Sequence, residues 1–418
     1  MPAPKRIFFA QVAPGQWRDW VNITNVGNKE GKVTVIARDG NGKVFWSTER
    51  SLKPFQCWTP PVEDAIKMEA SLEVISDQPI VGERHCHLGT QVLDFPGAAF
   101  ELGTVGRRLF FAEVASYIAD WMKILNVSEE ADALVTVVGH DRSTGRVVTQ
   151  FTGRVKPKGF WVVGDAASQI GRVTGTLEII STQPIVAEKH AHYTGGKSAI
   201  GQLGQLIEGI DTVAPKRIYF GQIAPGEWYD WVTLTNVGNK EAKITVIARD
   251  QNGKAVWSAE KSVMPWQCWI PPVNEAVKNI DVSLEVISDQ PVLGERHQHL
   301  GTQVLSFPGA APELGTVGKR LYFPEVYSGA YDWFRFFNVS EEPAVVTFIV
   351  RNRDGKVLNQ FQHRIKPMGF WTVPDDLIRQ ATGTVEVLST APIMGERHMH
   401  YRGWKTAISQ LGQVIELA

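Results

Sequence analysis

The chain of 418 residues is one pattern written four times in A-B-A-B order, and this repeat limits the possible folds more than any single residue does. The two A copies share TNVGNKE at 24–30 and 235–241, LEVISDQP at 72–79 and 284–291, and HLGTQVL at 87–93 and 299–305. The B copies share NVSEE at 126–130 and 338–342, GFW at 159–161 and 369–371, and QLGQ at 202–205 and 410–413. A and B have a thinner skeleton in common, so an early duplication was followed by a second. A period of about 100 residues is too long for helical or leucine-rich solenoids. It matches a sandwich domain. The units are placed at 1–106 (A1), 107–213 (B1), 214–318 (A2) and 319–418 (B2).

Within A1, DWVNITNV (19–26) and KVTVIARD (32–39) alternate in period 2, as half-buried strands do. Asp39-Gly40-Asn41-Gly42 is a hairpin signal, because Gly and Asn tolerate positive φ. RIFFAQV (6–12), KVFWSTERS (43–51), SLEVIS (71–76) and PIVGERHCH (79–87) complete about seven strands, with a helical turn near Glu63–Lys67. The expected fold class is all-β: four tandem antiparallel β-sandwich units with immunoglobulin-like dimensions. The short connectors, such as Glu101–Gly106, predict fixed contacts between neighbours and a stiff rod or compact string.

Hydrophobic residues make up 43% of the chain and charged residues 21%, enough for a core in each unit. The net charge of −1 provides no basic field, so no nucleic-acid partner is expected. No apolar run reaches the length of a membrane span. Cys57 and Cys268 occupy equivalent positions and Cys86 has no counterpart, which argues against a disulfide framework. The N-terminal MPAPKRIFFAQ lacks the apolar run of a signal peptide. The chain is therefore either cytoplasmic or an extracellular protein whose leader has been removed.

Three constellations recur. Asp-Trp appears at 19/20, 120/121, 230/231 and 332/333, read as a core indole beside an outward Asp that caps a turn or backbone N–H. Asn25, Asn126, Asn236 and Asn338 end strands and cap turns; Asn22, Asn126 and Asn338 also begin glycosylation triplets. The third carries the most chemistry. Each unit ends in Glu-Arg/Lys-His-x-His, comprising Glu83, His85 and His87; Glu188, His190 and His192; Glu295, His297 and His299; and Glu396, His398 and His400. Positions i, i+2 and i+4 share one face of a strand, so each carboxylate and its two imidazoles point the same way. Such a set suits Zn²⁺ or another divalent first-row ion. It equally suits structural histidines packed under a loop, or contacts between subunits. No nucleophile elbow, phosphate loop, CxxC pair or HExxH helix is present, so neither an enzyme nor a resident cofactor other than such a metal is expected.

FFAEV (110–114), DWVNITNV (19–26), VTVIARD (33–39), ISDQPIVGER (75–84) and ISDQPVLGER (287–296) together resemble tandem immunoglobulin-like repeats of bacterial secreted and cell-surface proteins. The resemblance implies β-sandwich modules displayed outside the cell, with no shared enzymatic activity. His-x-His departs from the familiar pattern, in which Pro and aromatic residues follow Glu-Arg.

Ala3-Pro4-Lys5-Arg6-Ile7 repeats the internal junction Ala214-Pro215-Lys216-Arg217-Ile218, and Gln413–Glu416 matches Gln205–Glu208 just before it. The expected function is therefore a structural protein whose copies bind one another head to tail into a filament or surface layer. The alternative is a binding or adhesion module, for a cell-surface glycan through Trp17, Trp228 and Trp404 or for metal through the histidines.

Overall fold

The computed structural model describes residues 3–13, 15–115, 118–164, 174–193, 195–208, 214–224, 226–378, 381–401 and 403–416. Alternation sets the strands. In Gly31–Arg38, Val33, Val35 and Ala37 are fully buried while Lys32 faces solvent. Unit A1 has eight strands: β1 (Arg6–Val12), β2 (Arg18–Asn25), β3 (Gly31–Arg38), β4 (Val44–Leu52), β5 (Cys57–Trp58), β6 (Ala70–Ser76), β7 (Ile80–Leu88) and β8 (Gln91–Pro96). One sheet has the order β1-β6-β3-β4 and the other β5-β2-β7-β8, all antiparallel. Ile7, Phe9, Val21, Ile23, Val35 and Val74 fill the space between them. The chain is thus all-β, as expected.

The topology differs from that of an immunoglobulin, where the first two strands pair in one sheet. Here β1 pairs with β6 while β2 pairs with β5 and β7, so the β1–β2 connection crosses between sheets. The Asp19 carboxylate holds that crossing by accepting the Ala13 N–H at 2.7 Å. The expected helical turn forms one turn at Val62–Ala65. β8 lies beyond the strands read from the sequence, and it proves to be the strand nearest the centre of the molecule. In the B units the β6 and β7 equivalents run on as single 19-residue strands, Gly175–Tyr193 and Gly383–Tyr401.

Asn25 caps its turn as expected, donating to Lys29 O at 2.8 Å and Leu52 O at 2.9 Å. Asn22, Asn126 and Asn338 are all buried, which removes them as glycan acceptors in the folded chain.

The four units close on themselves. β8 and its counterparts Ser198–Leu203, Gln303–Pro308 and Thr406–Leu411 neighbour one another in a cycle around a central axis. Each hairpin tip reaches the next unit: Phe160 N–H donates to Gly40 O at 3.2 Å, Cys268 to Arg142 at 2.7 Å, Phe370 to Gln251 at 3.4 Å, and Cys57 to Arg353 at 2.8 Å. The last of these joins A1 to B2. At that seam Ala3 N–H donates to Glu416 O at 3.1 Å, Gln413 Nε2 donates to Gly82 O at 2.9 Å, and Ala3, Val26, Val81, Tyr322 and Ile415 form one apolar cluster.

This closure corrects the reading of the ends. The B2 surface that matches the internal B1 junction is covered by A1 of the same chain, because the rotation per unit closes the array after four units. It is not available to a second copy. Nor are contacts confined to neighbours. A Cβ on Gly103 of A1 would meet the Leu314 backbone of A2 across the axis at 2.8 Å.

Candidate functional site

The Glu-Arg/Lys-His-x-His segment of each unit lies between the Trp strand and the axial strand. In A1 Trp20 is in register with His85, and His85 with Asp94. Strand alternation divides the motif between two faces. Glu83, His85 and His87 share one face, as expected, and the half-buried Trp20 stacks on His85 at 5.1 Å and lies 4.5 Å from His87. The other face carries Arg84, Phe95 and Asp19. Asp19 does not point outward: it is buried and binds Arg84 Nε at 2.9 Å and Nη2 at 3.0 Å.

The Arg face of each unit meets the Glu-His face of the next. Arg84 of A1 pairs with Glu188 of B1 at 2.9 Å, Arg296 of A2 with Glu396 of B2 at 2.9 Å, and Arg397 of B2 with Glu83 of A1 at 3.0 Å. All six of these side chains are buried, and such ions persist only when paired. At the fourth junction Lys189 donates instead to the Glu113 carbonyl, although its charge still helps keep Glu295 ionised. The Glu and basic positions of the motif are therefore primarily inter-unit ion pairs.

The two kinds of junction differ in their second cation. Where A meets B, Lys123 and Arg335 come from B and reach Glu69 at 3.2 Å and Asp281 at 2.5 Å. The nearby imidazoles stay neutral. Burial and the neighbouring Arg84 push His190 well below the usual histidine range. Burial, only partly opposed by Glu396, lowers His398 to about 4. Where B meets A, the positions of Lys123 and Arg335 are held by Asn22 and Thr233, and the histidine becomes the cation. Nε2 of His85 lies 2.5 Å from Glu83 and 2.7 Å from Glu325. Burial alone would depress His85, but the two carboxylates raise it to about 10, while Glu325 falls to about 2 despite its burial. His297 is raised in the same sense by Glu295 at 2.6 Å and Glu113 at 3.7 Å.

Among the described residues, Glu83, His85 and Glu325 form the one set of three ligand atoms close enough to share an ion. The second histidines turn elsewhere: His87 packs on Trp20 and Tyr401, His299 on Trp231 and Tyr193, while His192 and His400 bond Gln91 and Gln303 at 2.6 Å. Glu113 and Glu325 were not singled out from the sequence. Their signal lies in the alternation Gln11, Glu113, Gln222, Glu325 at one repeat position.

Between A2 and B2 a cavity of about 190 Å³ is lined by Gln222, Trp228, Gln298, Leu305, Trp333 and His398. Trp333 stacks on His398 at 3.8 Å. Gln222 Oε1 and His398 Nδ1 are buried and lack a protein hydrogen-bond partner among the described residues. Trp404, half exposed, lies 4.6 Å from His400 and 4.9 Å from Tyr331 at the same junction. Trp17 and Trp228 are only partly exposed.

No protein-family model and no curated protein sequence matches the chain. Among solved structures, Thermotoga maritima 1070 is similar at 16% identity, covering 24% of this chain and 97% of that one, with a TM-score of 0.22. The Anabaena sensory rhodopsin transducer is similar at 12% identity, covering 20% and 89%, with a TM-score of 0.18. A glycoside hydrolase family 32 protein from Bifidobacterium adolescentis covers 99% and 96% at 11% identity and a TM-score of 0.16. Likenesses this weak carry no function to this chain. No helix among the described residues is long and apolar enough to cross a membrane.

Proposed function

We propose that this chain is a non-enzymatic binding protein that holds a small, neutral, polyhydroxylated ligand of the carbohydrate class in the A2–B2 junction cavity. The observation that carries this reading is the cavity's lining. Two indoles provide apolar faces, and two amides and an uncharged imidazole provide hydrogen-bonding groups, of which Gln222 Oε1 and His398 Nδ1 have no protein partner among the described residues. Sites of this composition suit ligands with one apolar and one hydroxylated aspect. Trp228 and Trp333 are two of the chain's 14 tryptophans, so occupancy is read as the part of the intrinsic fluorescence change that depends on Trp333. Titration with a panel of mono- and disaccharides to about 10 mM would saturate even a millimolar site, worth about −4 kcal/mol. Saturable quenching that disappears in Trp333→Ala supports the reading; no response to any sugar overturns it.

A second reading rests on Glu83, His85 and Glu325, whose three ligand atoms stand close enough together to hold a divalent first-row ion. Elemental analysis of untagged protein decides it. Less than one ion per chain removes the metal reading.

A further inference from the structure

The axial strands surround a cavity of about 100 Å³ to which all four units contribute, large enough for several waters. At one level around it, in register with the first histidine of each motif, stand Asp94, Gly201, Ser306 and Ser409. Three of these four positions are small and neutral. The fourth is a carboxylate.

Two equivalent junctions show what that carboxylate changes. Between B1 and A2, Gln202 Nε2 donates to Ser306 Oγ at 2.8 Å and Ser306 Oγ donates to Glu295, so the Gln202 amide nitrogen, the hydroxyl and the carboxylate are joined. Between B2 and A1, Gln410 is the counterpart of Gln202, and Asp94 stands in the place of Ser306. Asp94 is 6% exposed and Gln410 4%. Asp94 Oδ2 and both amide atoms of Gln410 line the cavity without a protein partner among the described residues, as does Gln202 Oε1. Both nearby cations are already engaged: Arg397 with Asp332 and Glu83, and His85 with Glu83 and Glu325. Asp94 accepts the Ser409 backbone N–H but has no cation of its own, so its ionised form costs several kcal/mol unless a counter-charge arrives.

The walls indicate which counter-charge fits. Pro96, Leu203, Pro308, Leu314 and Leu411 make most of the surface apolar, and Oε1 of Gln202, Gln205, Gln410 and Gln413 joins Asp94 Oδ2 as a buried oxygen without a protein partner among the described residues. Ca²⁺ and Mg²⁺ require six or more oxygens at fixed distances and keep their waters. An ammonium group needs only three acceptors, and an alkyl stem is at home against leucine and proline. We propose that the axial cavity binds one small protonated amine per chain, its ammonium on Asp94 and Gln410 and its alkyl part along Leu203 and Leu411.

The probe is n-propylamine, with n-propanol as its neutral counterpart and K⁺, Mg²⁺ and Ca²⁺ as inorganic cations, measured by calorimetry on the full chain and by native mass spectrometry. Saturable binding of one propylammonium per chain is expected, with none for propanol. Asp94→Ser installs the residue that A2 and B2 already carry at this level, so the fold should tolerate it. It should weaken binding at least about tenfold, the worth of a charged hydrogen bond. Trp333→Ala, which alters the junction cavity, should leave amine binding unchanged, separating this site from the ligand site proposed above. The inference is overturned if propylammonium does not bind, if Asp94→Ser binds it as well as the parent does, or if the inorganic cations bind in its place.

Discussion

Replacing Glu325 by Gln removes one charge from the B2–A1 junction and nearly preserves its shape, since Gln already stands at this position in both A units (Gln11 and Gln222). His85 is raised from 6.5 to about 10 by its two carboxylates. At 1.36 kcal/mol per unit, that shift corresponds to about 5 kcal/mol of preference for the charged ring. Glu83 stays in place at 2.5 Å, so the substitution should remove roughly half, about 2–3 kcal/mol. The sign with pH follows from both partners. A raised histidine contributes fully below 6.5 and its contribution is lost as pH climbs through about 10. Glu325, depressed to about 2, contributes above its ordinary 4.5 and loses that contribution as pH falls through about 2. The difference between parent and Glu325→Gln should therefore be largest near about pH 6 and shrink toward about pH 10. Denaturant unfolding at both pH values measures it, and the imidazole resonances of His85 followed by NMR should titrate at least about one unit lower in the variant. An equal loss at both pH values, or an unmoved His85 titration, would refute the claim that this histidine replaces the lysine and arginine of the other junctions.

Glu113→Gln should cost less, about 1 kcal/mol, because Glu113 lies 3.7 Å from His297 where Glu325 lies 2.7 Å from His85, and Glu113 also accepts the Trp231 indole N–H at 3.1 Å; a loss matching that of Glu325→Gln would contradict the geometry. Gly42 has φ of +83° and its added Cβ would fall 2.0 Å from Pro157 O of the next unit, so Gly42→Ala should destabilise by about 1–3 kcal/mol or more, seen as a lowered melting temperature; an unchanged melting temperature counts against the interlocked hairpins. Asp94 is raised to about 7, chiefly by burial, so its ionisation costs stability as pH rises from about 4 to about 7. Asp94→Ser should accordingly stabilise the protein by up to about 4 kcal/mol at mildly alkaline pH and by little in acid; a pH-independent effect would show that Asp94 is not the titrating group. Negative-stain images should contain single closed particles whose mass stays near 46.4 kDa on concentration, and head-to-tail filaments would contradict closure through the A1–B2 seam.

The strands themselves were legible because strand periodicity is local. Val33, Val35 and Ala37 alternate with the less buried Lys32, Thr34, Ile36 and Arg38 whatever the rest of the chain does, and Gly42 marks its hairpin by backbone sterics alone. The shared face of Glu83, His85 and His87 follows from the same rule. What the motif does was not legible. A period-2 pattern cannot tell a face turned to solvent from one turned to another unit, so Asp19 was read as outward when it binds Arg84 in the interior. The reading of the matching ends as a head-to-tail contact meets a related limit. Matching ends show that two surfaces are complementary, but the angle between successive units decides whether the partner is another molecule or the chain's own first unit.

From the sequence alone come the all-β class, the four-fold repeat and the recurrence of Glu, a basic residue and two histidines, all properties of short stretches repeated along the chain. Tertiary structure decided which charges meet. Arg397 finds Glu83, and Glu325 finds His85, only after more than two hundred residues of intervening chain have turned full circle. Whether an imidazole is a cation or a neutral ring depends on the carboxylates and cations within a few ångströms of it. That distance is set by closure of the ring, which no local pattern in the sequence records.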